Sequence, residues 1–274
     1  MPHFLSPEEL ERLCRSYGLT PSRRYGQNYL IDPAPIERML AEDLGAGDTI
    51  VEIGPGFGVL TLPLAEKVGK VVTYEIEKKL EPYWKKQQKQ HPNIEIVWGN
   101  ALHQFVPPSK YKVIANLPYQ ITSPVIRMFL EAKQAPESMV FMVQHEVAER
   151  ICAKPGDMSL LAVSVQYYAE AEYLLKVPRA SFWPVPGVDS ALIKITPFKR
   201  ERDEIFEAVV FKIVKAGFAS RRKLLFKNLT PLFKEKPAGT LQAIFDKLGL
   251  TRNARAQEVP LAAWVELAKQ YESV

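Results

Sequence analysis

Thr49-Ile50-Val51-Glu52-Ile53-Gly54-Pro55-Gly56-Phe57-Gly58 is the stretch that decides the fold. A short β-rich run enters glycines at alternate positions, and a helical stretch follows from about Gly58 to Val68. A strand, a glycine turn and a helix in this order open a parallel α/β unit, because glycine lets the backbone turn sharply and approach a ligand closely. Working outward, Lys70–Glu75, Ile94–Val97, Tyr111–Ala115 and Met139–Val143 read as further apolar strands, with the charged run Glu77–Gln90 as an exposed helix. Apolar strands separated by helices predict a mostly parallel sheet covered on both faces. Ser190–Ile195 adds one more strand. Near the start, Ser6 followed by Pro7-Glu8-Glu9 predicts an N-capped helix with acids in its first turn. Beyond the linker-like Pro197–Arg200 the β-rich runs stop, and helical spacing appears in Ile205–Ala216, Leu224–Leu232, Leu241–Leu248 and Leu261–Ala268. The expectation is an α/β domain over residues 1–200 and a small all-helical domain over residues 201–274.

Composition narrows the function classes. With 47% hydrophobic and 24% charged residues, the 274-residue chain has an ordinary globular balance, which excludes wholesale disorder. No uncharged apolar run approaches the ~18–20 residues of a bilayer span. The first residues carry acids where a secretory signal carries bases, so a cytoplasmic location is expected. Cys14 and Cys152 are too few for a disulfide framework, and the four histidines have no ligand spacing, so no metal centre is expected. Charge is uneven: residues 205–236 hold 8 Lys/Arg against 2 Asp/Glu, whereas residues 1–204 hold 24 against 25. Such an excess either attracts a polyanion or is a solvated helix face.

The glycine loop carries the first chemical signal. Its spacing is G-x-G-x-G, not the G-x-G-x-x-G of dinucleotide sites, and no Gly-Lys-Ser/Thr follows, so it is not a phosphate-cradling loop. Headed by the carboxylate of Glu52, it suits a ligand with an amino group and no pyrophosphate, and S-adenosyl-L-methionine fits that description. The plain alternative is a tight turn with no ligand. Glu75 weighs against that alternative: it ends the next strand, which in a doubly wound sheet puts a carboxylate beside the loop, where it can accept hydrogen bonds from both ribose hydroxyls.

Asn116-Leu117-Pro118-Tyr119 directly follows the fourth strand. With Tyr25–Leu30, the Glu52–Gly58 loop, Phe182-Trp183-Pro184-Val185-Pro186-Gly187-Val188-Asp189-Ser190 and Phe218-Ala219-Ser220-Arg221-Arg222-Lys223, it makes nearly the whole chain resemble the KsgA-type family of ribosomal RNA adenine N6,N6-dimethyltransferases. The resemblance implies a Rossmann-like S-adenosylmethionine methyltransferase domain, cofactor turnover to S-adenosyl-L-homocysteine, and dimethylation of two adjacent adenosines in the 3′-terminal hairpin of small-subunit rRNA. The implied partner is a partly assembled small ribosomal subunit, and a monomer is the default expectation. Catalytic roles are implied for Asn116, Leu117, Pro118, Tyr119 and Phe182. The Asn116 side-chain oxygen and the Leu117 carbonyl would accept from the adenine amine, Pro118 would stiffen the loop, and Tyr119 and Phe182 would stack on the two faces of the base. Cofactor contacts are implied for Gln27, Asn28, Leu30, Glu52, Gly54, Gly56, Gly58, Glu75, Ile76, Asn100, Ala101 and Asn116. Arg221, Arg222, Lys223 and Lys227, helped by Lys212 and Lys215, would grip RNA phosphates, with Arg23 and Arg24 joining that surface.

Two positions depart from the family pattern. Asn100 stands where the family usually has Asp, which bears on cofactor affinity, and Arg255-Ala256-Gln257-Glu258 replaces a usual Arg-Ala-Glu. Two other readings stay open at this level: a methylase of one large-subunit adenosine, which shares the loop and the Asn-Leu-Pro-Tyr type of motif, and a non-catalytic RNA-binding assembly factor on the same scaffold.

Overall fold

The computed structural model describes residues 5–21, 28–199, 201–220 and 222–273. The chain divides into two compact units, Met1–Ala148 with Ala171–Pro197, and Glu149–Glu170 with Phe198–Val274. Residues 149–170, read with the first domain from sequence, group with the second unit.

Among the described residues the strands are β1 (Tyr29–Leu30), β2 (Thr49–Ile53), β3 (Lys70–Glu75), β4 (Ile94–Trp98), β5 (Lys112–Asn116), β6 (Met139–Gln144), β7 (Ala169–Val177), β8 (Phe182–Trp183) and β9 (Ser190–Pro197). Seven of them form one sheet in the order β4-β3-β2-β5-β6-β9-β7. β2 pairs in parallel with β3 and β5, β3 with β4, and β5 with β6, while β9 returns antiparallel on β6 with Gln144 opposite Ser190. The central strands are buried along nearly their whole length, which is why they read as continuous apolar runs rather than alternating ones. Strand order reverses between β2 and β5. In an open parallel sheet that switch point leaves a crevice at the carboxyl edge. Ile53, Glu75, Trp98 and Asn116 end four neighbouring parallel strands, so the segments that follow them meet at this edge.

Local chemistry sets the element ends. Ser6 caps the helix Pro7–Ser16: its hydroxyl accepts from the Glu9 N–H, and Glu9 Oε2 accepts from the Ser6 N–H. The helix expected after the glycine loop is confined to Thr61–Ala65, and the one expected over 77–90 begins as a 3-10 turn and becomes α-helical over Glu81–Gln87.

In the second unit, the helices Glu204–Gly217, Leu225–Leu229, Thr240–Lys247 and Leu261–Glu272 follow the expected spacing. Its core centres on Trp264, which is fully buried and stacks on Phe218 with centroids 5.4 Å apart. Trp264 sits so close to Gly217 that a Cβ there would lie 2.3 Å from its ring, so this helical glycine is a packing requirement.

Among the described residues no helix is long and apolar enough to cross a membrane.

Candidate active site

The site is built on the carboxyl edge of the sheet. After β2 the chain passes through Gly54, Gly56 and Gly58 with φ of +73°, +53° and +77°, a region that strains residues with a side chain. The loop is fixed from several sides. Gly54 N–H donates to the Tyr74 carbonyl (2.9 Å), Trp84 Nε1 to the Gly56 carbonyl (3.1 Å), and the Tyr83 hydroxyl to the Phe57 carbonyl (2.7 Å). Gly58 meets a second constraint: a Cβ there would stand 3.0 Å from both Leu62 and Trp84. Its role is to let the loop close over that packing.

Two carboxylates face this loop. Glu75 Oε2 accepts from the Gly56 N–H (3.3 Å) and Oε1 from the Glu77 N–H (2.8 Å). Burial pushes the Glu75 carboxyl above the usual range, and those backbone donors pull it back. Glu52 is 2% exposed, and among the described residues its Oε2 has no hydrogen-bond partner, nor has the hydroxyl of Thr61. Burial pushes Glu52 up to about 8, with the nearby Thr61 hydroxyl opposing and the Glu75 charge adding to the shift. A buried carboxyl oxygen left without a partner is costly and calls for a cationic or donor ligand.

Glu52 and Glu75 line one cavity of ≈ 200 Å³, together with Asn28, Leu30, Gly54, Gly56, Ile76, Asn100, Ala101, Asn116 and Pro118 of the expected residues. Ile76 is 56% exposed, an open apolar side chain suited to one face of a flat base. Asn100 follows Gly99 and caps the short helix Ala101–Gln104, its Oδ1 accepting from the Leu102 N–H at 3.0 Å. An amide oxygen used in this way still has a lone pair for a further donor. This mixture of an acid with one unpartnered oxygen, a second buried acid and an apolar slot fits a nucleoside joined to an amino acid. The cavity also takes in Tyr29, Met39, Ile121 and Met142, which sequence reasoning missed. Nothing local marks Met39, Ile121 and Met142, which are apolar residues brought in by tertiary packing, whereas Tyr29 lies inside the Tyr25–Leu30 motif.

The loop after β5 shares that cavity through Asn116 and Pro118. The Leu117 side chain is buried, and its N–H donates to the Met142 carbonyl at 3.1 Å, which fixes the backbone beside Asn116. Tyr119 is half-buried, and its hydroxyl shares a 2.7 Å hydrogen bond with that of Ser190. Burial pushes the Tyr119 phenol up, so it keeps its proton at neutral pH.

Among the described catalytic and cofactor-binding candidates, Gly58, Leu117, Tyr119 and Phe182 do not line the cavity, and Phe182 is the one whose ring is fully packed away. It is 1% exposed, packs in the hydrophobic core with Tyr29 and Leu30, and does not line the cavity. The cause is the pairing of β8 with β1, which sets Leu30 opposite Phe182 and Tyr29 opposite Trp183. In this structure its ring packs as a core residue does, and no face is open to a base.

Arg222, Lys223 and Lys227 are exposed in the second unit, as is Lys215. Lys212 is turned to Tyr271, donating to its hydroxyl at 3.0 Å. Gln27, Arg221, Arg23, Arg24 and the Tyr25-Gly26 step of the first motif lie outside the described residues.

Residues 19–273 match the family model described as ribosomal RNA adenine dimethylase. The ribosomal RNA small subunit methyltransferase A of Dehalococcoides mccartyi strain BAV1 is 38% identical over 274 residues, covering 96% of this chain and 92% of the relative. Among solved structures, the 23S rRNA methyltransferase ErmE aligns with a TM-score of 0.74 at 28% identity, over 89% of this chain and 100% of the other. A dimethyladenosine transferase from Plasmodium falciparum aligns with a TM-score of 0.75 at 25% identity, over 89% of this chain and 97% of the other.

Proposed function

The chain belongs to the ribosomal RNA adenine dimethylase family, and we infer from that premise that it dimethylates N6 of two adjacent adenosines in the 3′-terminal hairpin of small-subunit rRNA during subunit assembly. The observation that supports this reading is a single cavity lined both by the acids Glu52 and Glu75 and by Asn116 and Pro118 of the Asn-Leu-Pro-Tyr loop. A binding scaffold with no chemistry has no use for that juxtaposition. The small-subunit substrate is favoured because a relative matching at 38% over nearly its full length is named for the small subunit, whereas the structure named for 23S rRNA matches at 28%.

The residues present suit S-adenosylmethionine, which when bound supplies an electrophilic methyl group. Glu52 would take its ammonium group, Glu75 the ribose hydroxyls, and Ile76 and Asn100 the adenine.

The remaining work falls to the chain itself. The adenine amine is a poor nucleophile because its lone pair is delocalised into the ring. Acceptance of its hydrogens by Asn116 Oδ1 and the Leu117 carbonyl draws the nitrogen towards a tetrahedral shape and frees that pair. Pro118 stiffens the loop and brings no competing N–H. Tyr119 supports one face of the base, which has first to leave its stack. After each transfer N6 carries a proton that is acidic enough to leave to water. Catalysis of this kind rests on position and fixed dipoles, with no strong general base. Phe182 enters as part of the wall that holds Tyr29 and Leu30. Arg222, Lys223 and Lys227 would neutralise RNA phosphates and so set the substrate's position without naming its sequence.

The test is transfer of labelled methyl groups to unmethylated small subunits, with large subunits as the control and nucleoside analysis of the product. The expected product is N6,N6-dimethyladenosine in the small subunit only. Asn116→Ala is expected to abolish its formation while leaving RNA binding intact. Methylation of large subunits, or full turnover by the Asn116 variant, would overturn the assignment.

A further inference from the structure

The Tyr119 hydroxyl has no part in supporting a base, since a ring does that equally well without it. In this structure the hydroxyl is nonetheless bonded at 2.7 Å to Ser190, a residue 71 positions away that is fully buried. Ser190 opens β9, opposite Gln144 in the antiparallel register with β6. The bond therefore runs from the loop after β5, across β6, to the strand on its other side.

The two ends of this bond differ in rigidity. Tyr119 starts a three-residue 3-10 turn, Tyr119–Ile121, closed by the Ile121 N–H on the Pro118 carbonyl. So short a turn leaves the ring's own torsions to be set by its surroundings. Ser190 lies in a paired strand, and its neighbour Asp189 is tied down at three points. The Asp189 carbonyl accepts from the His145 N–H (2.9 Å), Oδ1 accepts from the Arg179 N–H (3.0 Å), and Oδ2 pairs with Lys176 (3.1 Å).

We propose that Ser190 is a positioning residue for methyl transfer: its hydroxyl locks the Tyr119 ring at the angle that supports the target base. The inference rests on the reading of Tyr119 as that supporting ring. Ser190 touches neither substrate nor cofactor and acts through Tyr119 alone. Removing either oxygen of the pair should then have one and the same effect, on turnover rather than on RNA binding.

The experiment compares steady-state methyl transfer to unmethylated small subunits by the wild type, Y119F, S190A, the double variant and Y119A, with circular dichroism to confirm folding. Y119F and S190A are each expected to lower kcat by about fivefold, the value of one net hydrogen bond, with KM for the subunit unchanged. The double variant is expected to be no slower than either single variant, because both remove the same interaction. Wild-type kcat in Y119F and S190A, or losses that multiply in the double variant, would overturn the proposal. Should S190A fail to fold, Y119F decides alone, since it deletes one oxygen from a half-buried ring, and wild-type kcat in that variant overturns the proposal. Y119A separates the two levels of the claim. Full activity there sinks the role of Tyr119 itself, whereas inactivity beside fully active Y119F and S190A sinks only the role of Ser190.

Discussion

Replacing Glu52 with Gln should make the protein more stable and a worse binder of its cofactor. The carboxyl is buried, one oxygen lacks a partner among the described residues, and burial raises it from 4.5 to about 8. Between those values the folded chain holds a proton that the unfolded chain has released, so this group's contribution to stability falls as pH rises, by about 1.4 kcal/mol per pH unit. Gln carries no such dependence. The stability gap between E52Q and the wild type should therefore widen by about 2 kcal/mol from pH 5.5 to pH 7.0 in favour of the variant. A constant offset from the buried Gln amide does not alter that widening. Urea denaturation at the two pH values, without cofactor, measures it. Calorimetry with S-adenosylhomocysteine should show binding weakened by roughly 10- to 100-fold, the worth of a charge-assisted hydrogen bond. A gap that stays constant with pH would refute the desolvation argument, and undiminished affinity would refute the assignment of Glu52 to the ammonium group.

Other outcomes follow from the same geometry. Gly58→Ala places a methyl 3.0 Å from Leu62 and Trp84 at φ +77°, so thermal denaturation should show a loss of about 1–3 kcal/mol. Glu75→Gln leaves the Gly56 and Glu77 N–H groups with a weaker acceptor and should loosen cofactor binding by about tenfold or more, read by the same calorimetry with RNA binding unchanged. Lys223→Ala with Lys227→Ala should weaken RNA binding and reduce its salt dependence by about one unit of slope per lost phosphate contact, while the affinity for S-adenosylhomocysteine stays as in the wild type.

The parts of the fold legible in the sequence were those set by local chemistry. The β2 run and its glycines announce a strand and a turn because glycine adopts without strain the positive φ found at 54, 56 and 58. Glu75 could be placed beside that loop because consecutive parallel strands bring their carboxyl ends together. β7 was missed: it is an edge strand, largely exposed, and its Glu-Ala-Glu-Tyr stretch lacks the apolar density of a central strand. β1 and β8 are two residues each and exist only through their mutual pairing, so no local pattern marks them. That pairing also buries Phe182, whose motif names the residue but not its exposure. The Tyr119–Ser190 bond and the grouping of residues 149–170 with the helical unit depend on contacts far apart in sequence, which periodicity cannot report.

A structure of the protein with S-adenosylhomocysteine and an oligonucleotide carrying the target adenosines would test the arrangement most directly. The extruded adenine should place N6 within hydrogen-bond distance of Asn116 Oδ1 and the Leu117 carbonyl, with its ring against Tyr119 and the ligand's amino group on Glu52. A base seated away from Asn116, or a nucleoside bound outside the Glu52–Glu75 cavity, would contradict the account.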